Sequence, residues 1–208
     1  MLPPLFTWIP LAHLPQVPEH FVKLGLNKVN DSNEPNQNFS LNITTQEYMD
    51  RKLTHKGKTI NSRCQVNFSM GPEWDIWVKD NIISTFIETG IRKSVGNSTV
   101  AGPHVDNPGK LRFYYLVDRG GENVETVWYL KPGDPAVFDM TTWDKSYPYS
   151  HDNIDELIVL DRAKFPLNTW ILFNGYILHG VHNVEYDRIN FNVSFNPKDI
   201  NFNITGKK

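Results

Sequence analysis

Apolar and polar positions change rhythm along this chain near residue 95. Before it, across residues 73–93, Trp74, Trp77, Val78, Ile82, Ile83 and Phe86 recur at the spacing of a helix face. That spacing predicts one or two helices packed against the outside of a sheet. Further upstream, residues 18–24 predict a short helix with Pro18 in its first turn, and residues 29–45, rich in Asn and Ser, read as a loop. Beyond Val95 the pattern turns to short runs broken by Gly, Pro and Asp. Strands are predicted at 111–117, 126–130, 136–140, 157–160, 169–173, 176–181 and 188–195. Asn174-Gly175, between two of these, predicts a tight hairpin. Eight or so short strands suit a mainly β fold with flanking helices, a jelly roll of the cupin type. In the last strand, Ile189, Phe191, Val193 and Phe195 alternate with Arg188, Asn190, Asn192 and Ser194, giving one apolar and one polar face.

Candidate chemistry sits in two stretches of this β region. His104 and Asp106 are separated by one residue, so an extended strand offers an imidazole and a carboxylate to the same side. One more imidazole brought in by the fold completes two nitrogens and one oxygen on one face of a metal, the facial triad of non-haem Fe(II) oxygenases. An H-x-D alone is a weak signal. It gains weight from His179, with Arg188 nine residues later. His182 competes with His179 for the role of distal ligand, but a regular strand turns it to the opposite face.

The order His104-Val105-Asp106, His179-Gly180-Val181, Arg188 resembles the 2-oxoglutarate- and Fe(II)-dependent dioxygenases. His104-Val105-Asp106-Asn107-Pro108 is similar to a segment of the oxygen-sensing prolyl hydroxylases. Arg112-Phe113-Tyr114-Tyr115-Leu116 and Gly120-Gly121-Glu122 are similar to strands of prolyl and aspartyl/asparaginyl hydroxylases. The resemblance covers roughly residues 95–197. It implies a double-stranded β-helix barrel, Fe(II) held by His104, Asp106 and His179, and 2-oxoglutarate and O2 as co-substrates. It also implies that Arg188 points into the barrel mouth and pairs with the far carboxylate of 2-oxoglutarate. A guanidinium is suited to that task, since its planar fork matches a carboxylate and keeps its charge when buried. Arg112 is a candidate second anion contact, with a salt bridge as the alternative. Tyr114, on the same face, is a candidate hydrogen-bond donor to co-substrate, whereas Tyr115 and Trp128 are expected in the core. The expected outcome is hydroxylation of a protein side chain, amino acid or small molecule, with release of succinate and CO2. Asp106 argues against halogenation, because related halogenases carry a small residue there.

Size and composition narrow the picture a little further. The 208 residues suit one domain, with residues 1–94 as N-terminal decoration and supporting helices, 95–197 as the jelly-roll core and 198–208 as a tail. The net charge of −2 comes from interspersed acids and bases, so no nucleic-acid partner is expected. Cys64 stands alone, which excludes an internal disulfide framework and fits a reducing compartment. The first residues are apolar but are broken by Pro3, Pro4 and Pro10 and lack a cationic leader, so neither a signal peptide nor a membrane span is expected, and a cytoplasmic protein is. Sequons begin at Asn30, Asn38, Asn42, Asn67, Asn97, Asn192 and Asn203 and are read as coincidence in an Asn-rich chain. His13, His20 and His55 read as surface or packing residues, His151 as exposed, and the loop around Asp139 and Asp144 as a candidate substrate-recognition segment. Two other readings stay open: a non-oxidative metal site, such as a zinc hydrolase on the same scaffold, and a β-sandwich binding module.

Overall fold

The computed structural model describes residues 6–31, 51–106, 111–133 and 151–195. The strand predicted at 136–140, Asn107-Pro108, and the loop with Asp139 and Asp144 lie outside these residues. The strands are β1 (Trp8–Pro10), β2 (Lys52–His55), β3 (Lys58–Asn61), β4 (Cys64–Phe68), β5 (Glu88–Val95), β6 (Ala101–His104), β7 (Leu111–Asp118), β8 (Glu125–Leu130), β9 (Ile158–Ala163), β10 (Trp170–Asn174), β11 (His179–His182) and β12 (Ile189–Phe195). Among the described residues two α-helices, α1 (Glu19–Asp31) and α2 (Pro72–Asn81), join them.

Alternation along the strands builds the layers. The apolar face of β12 packs Phe191, Val193 and Phe195 into one cluster with Leu111, Phe113 and Tyr115 of β7, Phe21 of α1, and Trp74 and Val78 of α2. The other face of β12, with Asn190, Asn192 and Ser194, is buried too, turned towards a second sheet. The larger sheet runs β1-β10-β7-β12-β5-β4 and the smaller β6-β11-β8-β9, every pairing antiparallel. The expected barrel does not close: β1 and β4 end one sheet, β6 and β9 end the other, and among the described residues no ladder joins them. The hairpin β2–β3 covers the outside of the smaller sheet, where Leu53 packs with Val105, Val127, Tyr129 and Leu178. Among the described residues, no helix is long and apolar enough to cross a membrane.

Three local expectations change. The helical spacing of 73–93 is realised only as far as Asn81, and Glu88–Val95 is a strand between β4 and β12. Ile82, Ile83 and Phe86 keep the apolar rhythm through the connection, but the branched Thr89, Ile91 and Val95 favour the ladder and Gly90 disfavours a helix. Helix α1 runs on to Asp31, past the start of the predicted loop, because Phe21 and Val29 reach the core and Gly25 lets the helix close on the sheet. A Cβ at Gly25 would meet Ile91 at 2.6 Å. Asn174-Gly175 closes no hairpin: β10 pairs with β1 and β7, whereas β11 pairs with β6 and β8, so this dipeptide carries the chain from one sheet to the other. The larger sheet also takes β1, β4 and β5 from the region before residue 95.

His182 lies on the outer face of the smaller sheet, where its Nε2 shares a hydrogen bond with the Tyr129 hydroxyl and its ring meets that of His55 edge-on at 5.1 Å. His55 also stands 4.0 Å from Asp155, so the fold supplies the second histidine and the carboxylate that its sequence surroundings lack. Burial, then His55, Arg162 and Lys56, push the His182 pKa down to about 4. The unfolded chain takes up this proton near pH 6.5, the folded one only near 4, so stability is complete above pH 6.5 and declines as pH falls through that window. Urea unfolding should therefore lose about 3 kcal/mol to His182 between pH 7 and 4. His182→Gln should flatten this acid limb while leaving a polar partner for Tyr129. An unchanged limb would remove His182 as its source.

Candidate metal centre

The smaller sheet brings the predicted ligands together. His104 ends β6 and His179 begins β11, directly opposite each other across an antiparallel pair. Two residues past the end of β6, Asp106 returns to the same side, while Val105 between them faces the outer cluster. One ligand atom from each of His104, Asp106 and His179 lies within 4.8 Å of the others, a group that can hold a metal ion.

Local bonds fix how these groups face one another. The Nδ1 atoms of His104 and His179 bond to the carbonyls of Gly102 and Ile177, at 2.9 and 2.8 Å. A carbonyl can only accept, so each Nδ1 carries the proton and each Nε2 presents a lone pair. His104 Nε2 lies 3.9 Å from Asp106 Oδ1, and His179 Nε2 lies 4.0 Å from Oδ2. These separations are too long for hydrogen bonds and suit groups that share an ion. Burial pushes His104 below its ordinary pKa, and burial followed by the His104 charge pushes His179 down to about 3, so both rings are neutral at pH 7. The imidazole–carboxylate approaches are therefore not ion pairs. Burial disfavours the Asp106 charge, yet Arg112, then His179 and Arg92, hold its carboxyl well below the usual carboxylate range. Two neutral imidazoles and an ionised carboxylate are the protonation states that metal ligation requires.

The fold also makes room for Asp106. Its backbone N–H donates to the carbonyl of Gly175 at 2.9 Å, and a Cβ on Gly175 would sit 2.7 Å from Oδ2. The strand-crossing dipeptide is thus a wall of the site, a role hidden behind its turn-like sequence.

Arg188, Asn190 and Tyr114 line a narrow cavity with His104 and His179, closed on one side by Leu116, Phe165 and Phe173. Arg188 is buried and its guanidinium lies over the Phe165 ring at 5.7 Å. Burial pulls its pKa down to about 10, which leaves it cationic at neutral pH. Its Nε has no hydrogen-bond partner, and it pairs with no acid among the described residues. A larger hollow of 390 Å³, with Asn67, Asp75, Glu88 and Asn192 in its wall, contains none of the three ligands.

The other predicted residues divide. Arg112 forms the salt-bridge alternative, with its Nε 2.6 Å from Asp106 Oδ2 and its Nη1 2.9 Å from Glu88 and 2.6 Å from Ser194. The Tyr114 hydroxyl accepts from Arg92 at 3.1 Å. Tyr115 and Trp128 are core residues, and His182 faces away from the cluster. His151 is half-buried rather than exposed: its N–H donates to the Pro103 carbonyl, and its Nε2 comes within 3.4 Å of Glu156 without forming a hydrogen bond. Sequence reasoning missed Glu88 and Arg92, which fell in the misread helical stretch, and Gly175.

No family model matches the chain, and neither does any curated protein. Similar solved structures include E. coli ycfD, at 15% identity over 78% of this chain and 48% of that chain, with a TM-score of 0.39. EvdMO1 is 10% identical over 92% of this chain and 47% of that chain, with a TM-score of 0.44. Cellulomonas parahominis L-ribose isomerase with L-psicose is 10% identical over 87% and 85%, with a TM-score of 0.32. The chain spans about half the length of the first two. Likenesses at this level do not define a family.

Gly175→Ala should force the Asp106 carboxylate out of line, since the added Cβ would meet the Asp106 side chain itself at 2.7–3.2 Å and that side chain must move. Divalent-ion affinity, titrated with Mn(II), should fall roughly tenfold or more, as for other losses of ligand orientation. An Ala variant with wild-type affinity would show that the Gly175 contact does not shape the site.

Proposed function

We propose that this chain is a 2-oxoglutarate- and Fe(II)-dependent dioxygenase that hydroxylates a protein side chain, an amino acid or a small molecule. The observation that carries the reading is Arg188, a buried guanidinium without an acidic partner among the described residues, opening on the same cavity as His104 and His179. A buried unpaired cation is costly unless an anion completes it. A dicarboxylate held by the ion at one end and by Arg188 at the other meets both needs, whereas a hydrolytic zinc site leaves Arg188 with no role.

The strand order supports a double-stranded β-helix. The pairs β5 and β6, β7 and β8, β9 and β10, and β11 and β12 each cross between sheets, giving β10-β7-β12-β5 in one and β6-β11-β8-β9 in the other. In this scheme His104, Asp106 and His179 would hold the ion. Fe(II) held there would supply oxygen activation, coupled to oxidative decarboxylation of 2-oxoglutarate to succinate and CO2. Arg188 binds the far carboxylate through its planar fork. Tyr114, whose oxygen already accepts from Arg92, keeps its own proton for donation into the cavity. Leu116, Phe165 and Phe173 exclude water, which strengthens the Arg188–carboxylate attraction.

Isothermal titration of 2-oxoglutarate into anaerobic Mn(II)-loaded protein tests the scheme. Arg188→Ala leaves the far carboxylate buried and unpaired, a loss of roughly 3–5 kcal/mol. The dissociation constant should rise by about two to three powers of ten, with metal affinity nearly unchanged. Arg188→Lys should recover part of the loss, and Asp106→Ala should abolish most metal binding in a folded protein. Absence of 2-oxoglutarate binding by the wild type, or unaltered affinity in Arg188→Ala, would sink the assignment.

A further inference from the structure

We infer that Arg112 is a positioning residue for the metal centre: it holds Oδ2 of Asp106 and leaves Oδ1 as the single oxygen that meets the ion. The inference rests on the metal-binding reading of His104, Asp106 and His179. The imidazoles alone do not choose between the two oxygens, because one is 3.9 Å from His104 and the other 4.0 Å from His179. Nothing in that spacing stops a carboxylate from closing on the ion with both.

The choice is made from the opposite sheet. Arg112 stands on β7, and its Nε donates to Oδ2 at 2.6 Å, a charge-assisted bond between buried groups. Gly175 leaves little space behind the same oxygen, where an added Cβ would come within 2.7 Å. The guanidinium cannot swing away easily, because its Nη1 is tied to Glu88 at 2.9 Å and to Ser194 at 2.6 Å. Glu88 is itself fixed by Arg92 at 3.2 Å and by the Ser194 hydroxyl at 3.1 Å. Oδ2 is therefore occupied and braced, while Oδ1 faces His104. A carboxylate that gives one oxygen, beside two imidazoles, leaves three positions of an octahedral ion open. A carboxylate that gives both leaves two, and a chelating co-substrate then fills the site with no room for a further ligand.

The test counts ion-bound waters in the whole 208-residue chain loaded with Mn(II), without 2-oxoglutarate, by electron–nuclear double resonance in 17O-enriched water. The wild type should show about three waters. Arg112→Met should show about two, because the released carboxylate closes both oxygens on the ion. Arg112→Lys should likewise fall below three, since an ammonium keeps the charge but cannot hold Glu88, Ser194 and the edge of Oδ2 together. A residue that merely supports the fold would alter melting and leave the count at three. Two waters in the wild type, or three in whichever Arg112 variant folds, overturns the positioning role. A wild type that binds no Mn(II) overturns the metal reading instead.

Discussion

Keeping one carboxylate ionised between two sheets is the constraint on which this structure turns. Asp106 is buried, and a lone buried anion would neutralise itself rather than remain charged. Arg112 prevents that from 2.6 Å away, itself steadied by Glu88 and Ser194. The same anion dictates a glycine at position 175, which accepts the Asp106 N–H and gives its side chain room. It also sits beside two imidazoles that burial keeps neutral, so the cluster carries a single negative charge of its own.

Such an interior does not hold a protein together. Buried ion pairs return little more than their desolvation costs, and Arg92, Arg112 and Arg188 all lie within the sandwich. The offset comes from elsewhere. On the outer face of the larger sheet, Trp74 stacks on Phe191 and joins Phe21 in a cluster that spans α1, α2 and five strands. A second apolar group, with Trp128, Phe165, Ile171 and Phe173, fills the inter-sheet space beside the polar cavity. The two helices and this half-dry interior stabilise a scaffold whose remaining interior is given over to charge.

How much of this was legible depended on range. The alternation that turns His104 and Asp106 to one side of Val105, and Ile189 away from Asn190, is local, and both survive in the structure as faces of extended chain. The opposite orientation of His182 followed from the same two-residue period. What failed were patterns that two structures can share. Ile82, Ile83 and Phe86 fit a helix face as well as a connection into β5, and Asn174-Gly175 suits a turn as well as a passage between sheets. The contact of His55 with His182, and the bracing of Arg112 by Glu88, join residues far apart in sequence. No spacing rule reports on those. Arg112 itself was readable only as a choice between two roles, since its position on β7 is local but its partner is not.

The two leaves of the sandwich hold different halves of the site. His104 and His179 belong to β6 and β11, whereas Arg112 stands on β7 and Arg188 enters β12 beside Ser94 of β5. On the proposed reading, a dicarboxylate anchored at both ends would span the gap as a strut. Occupancy would then be felt mechanically, as resistance of the leaves to sliding or parting, even in strands that touch no ligand. Amide protons deep in β7 and β12 would exchange more slowly in the loaded protein, so that the co-substrate of the chemistry would also set the rhythm at which the sandwich breathes.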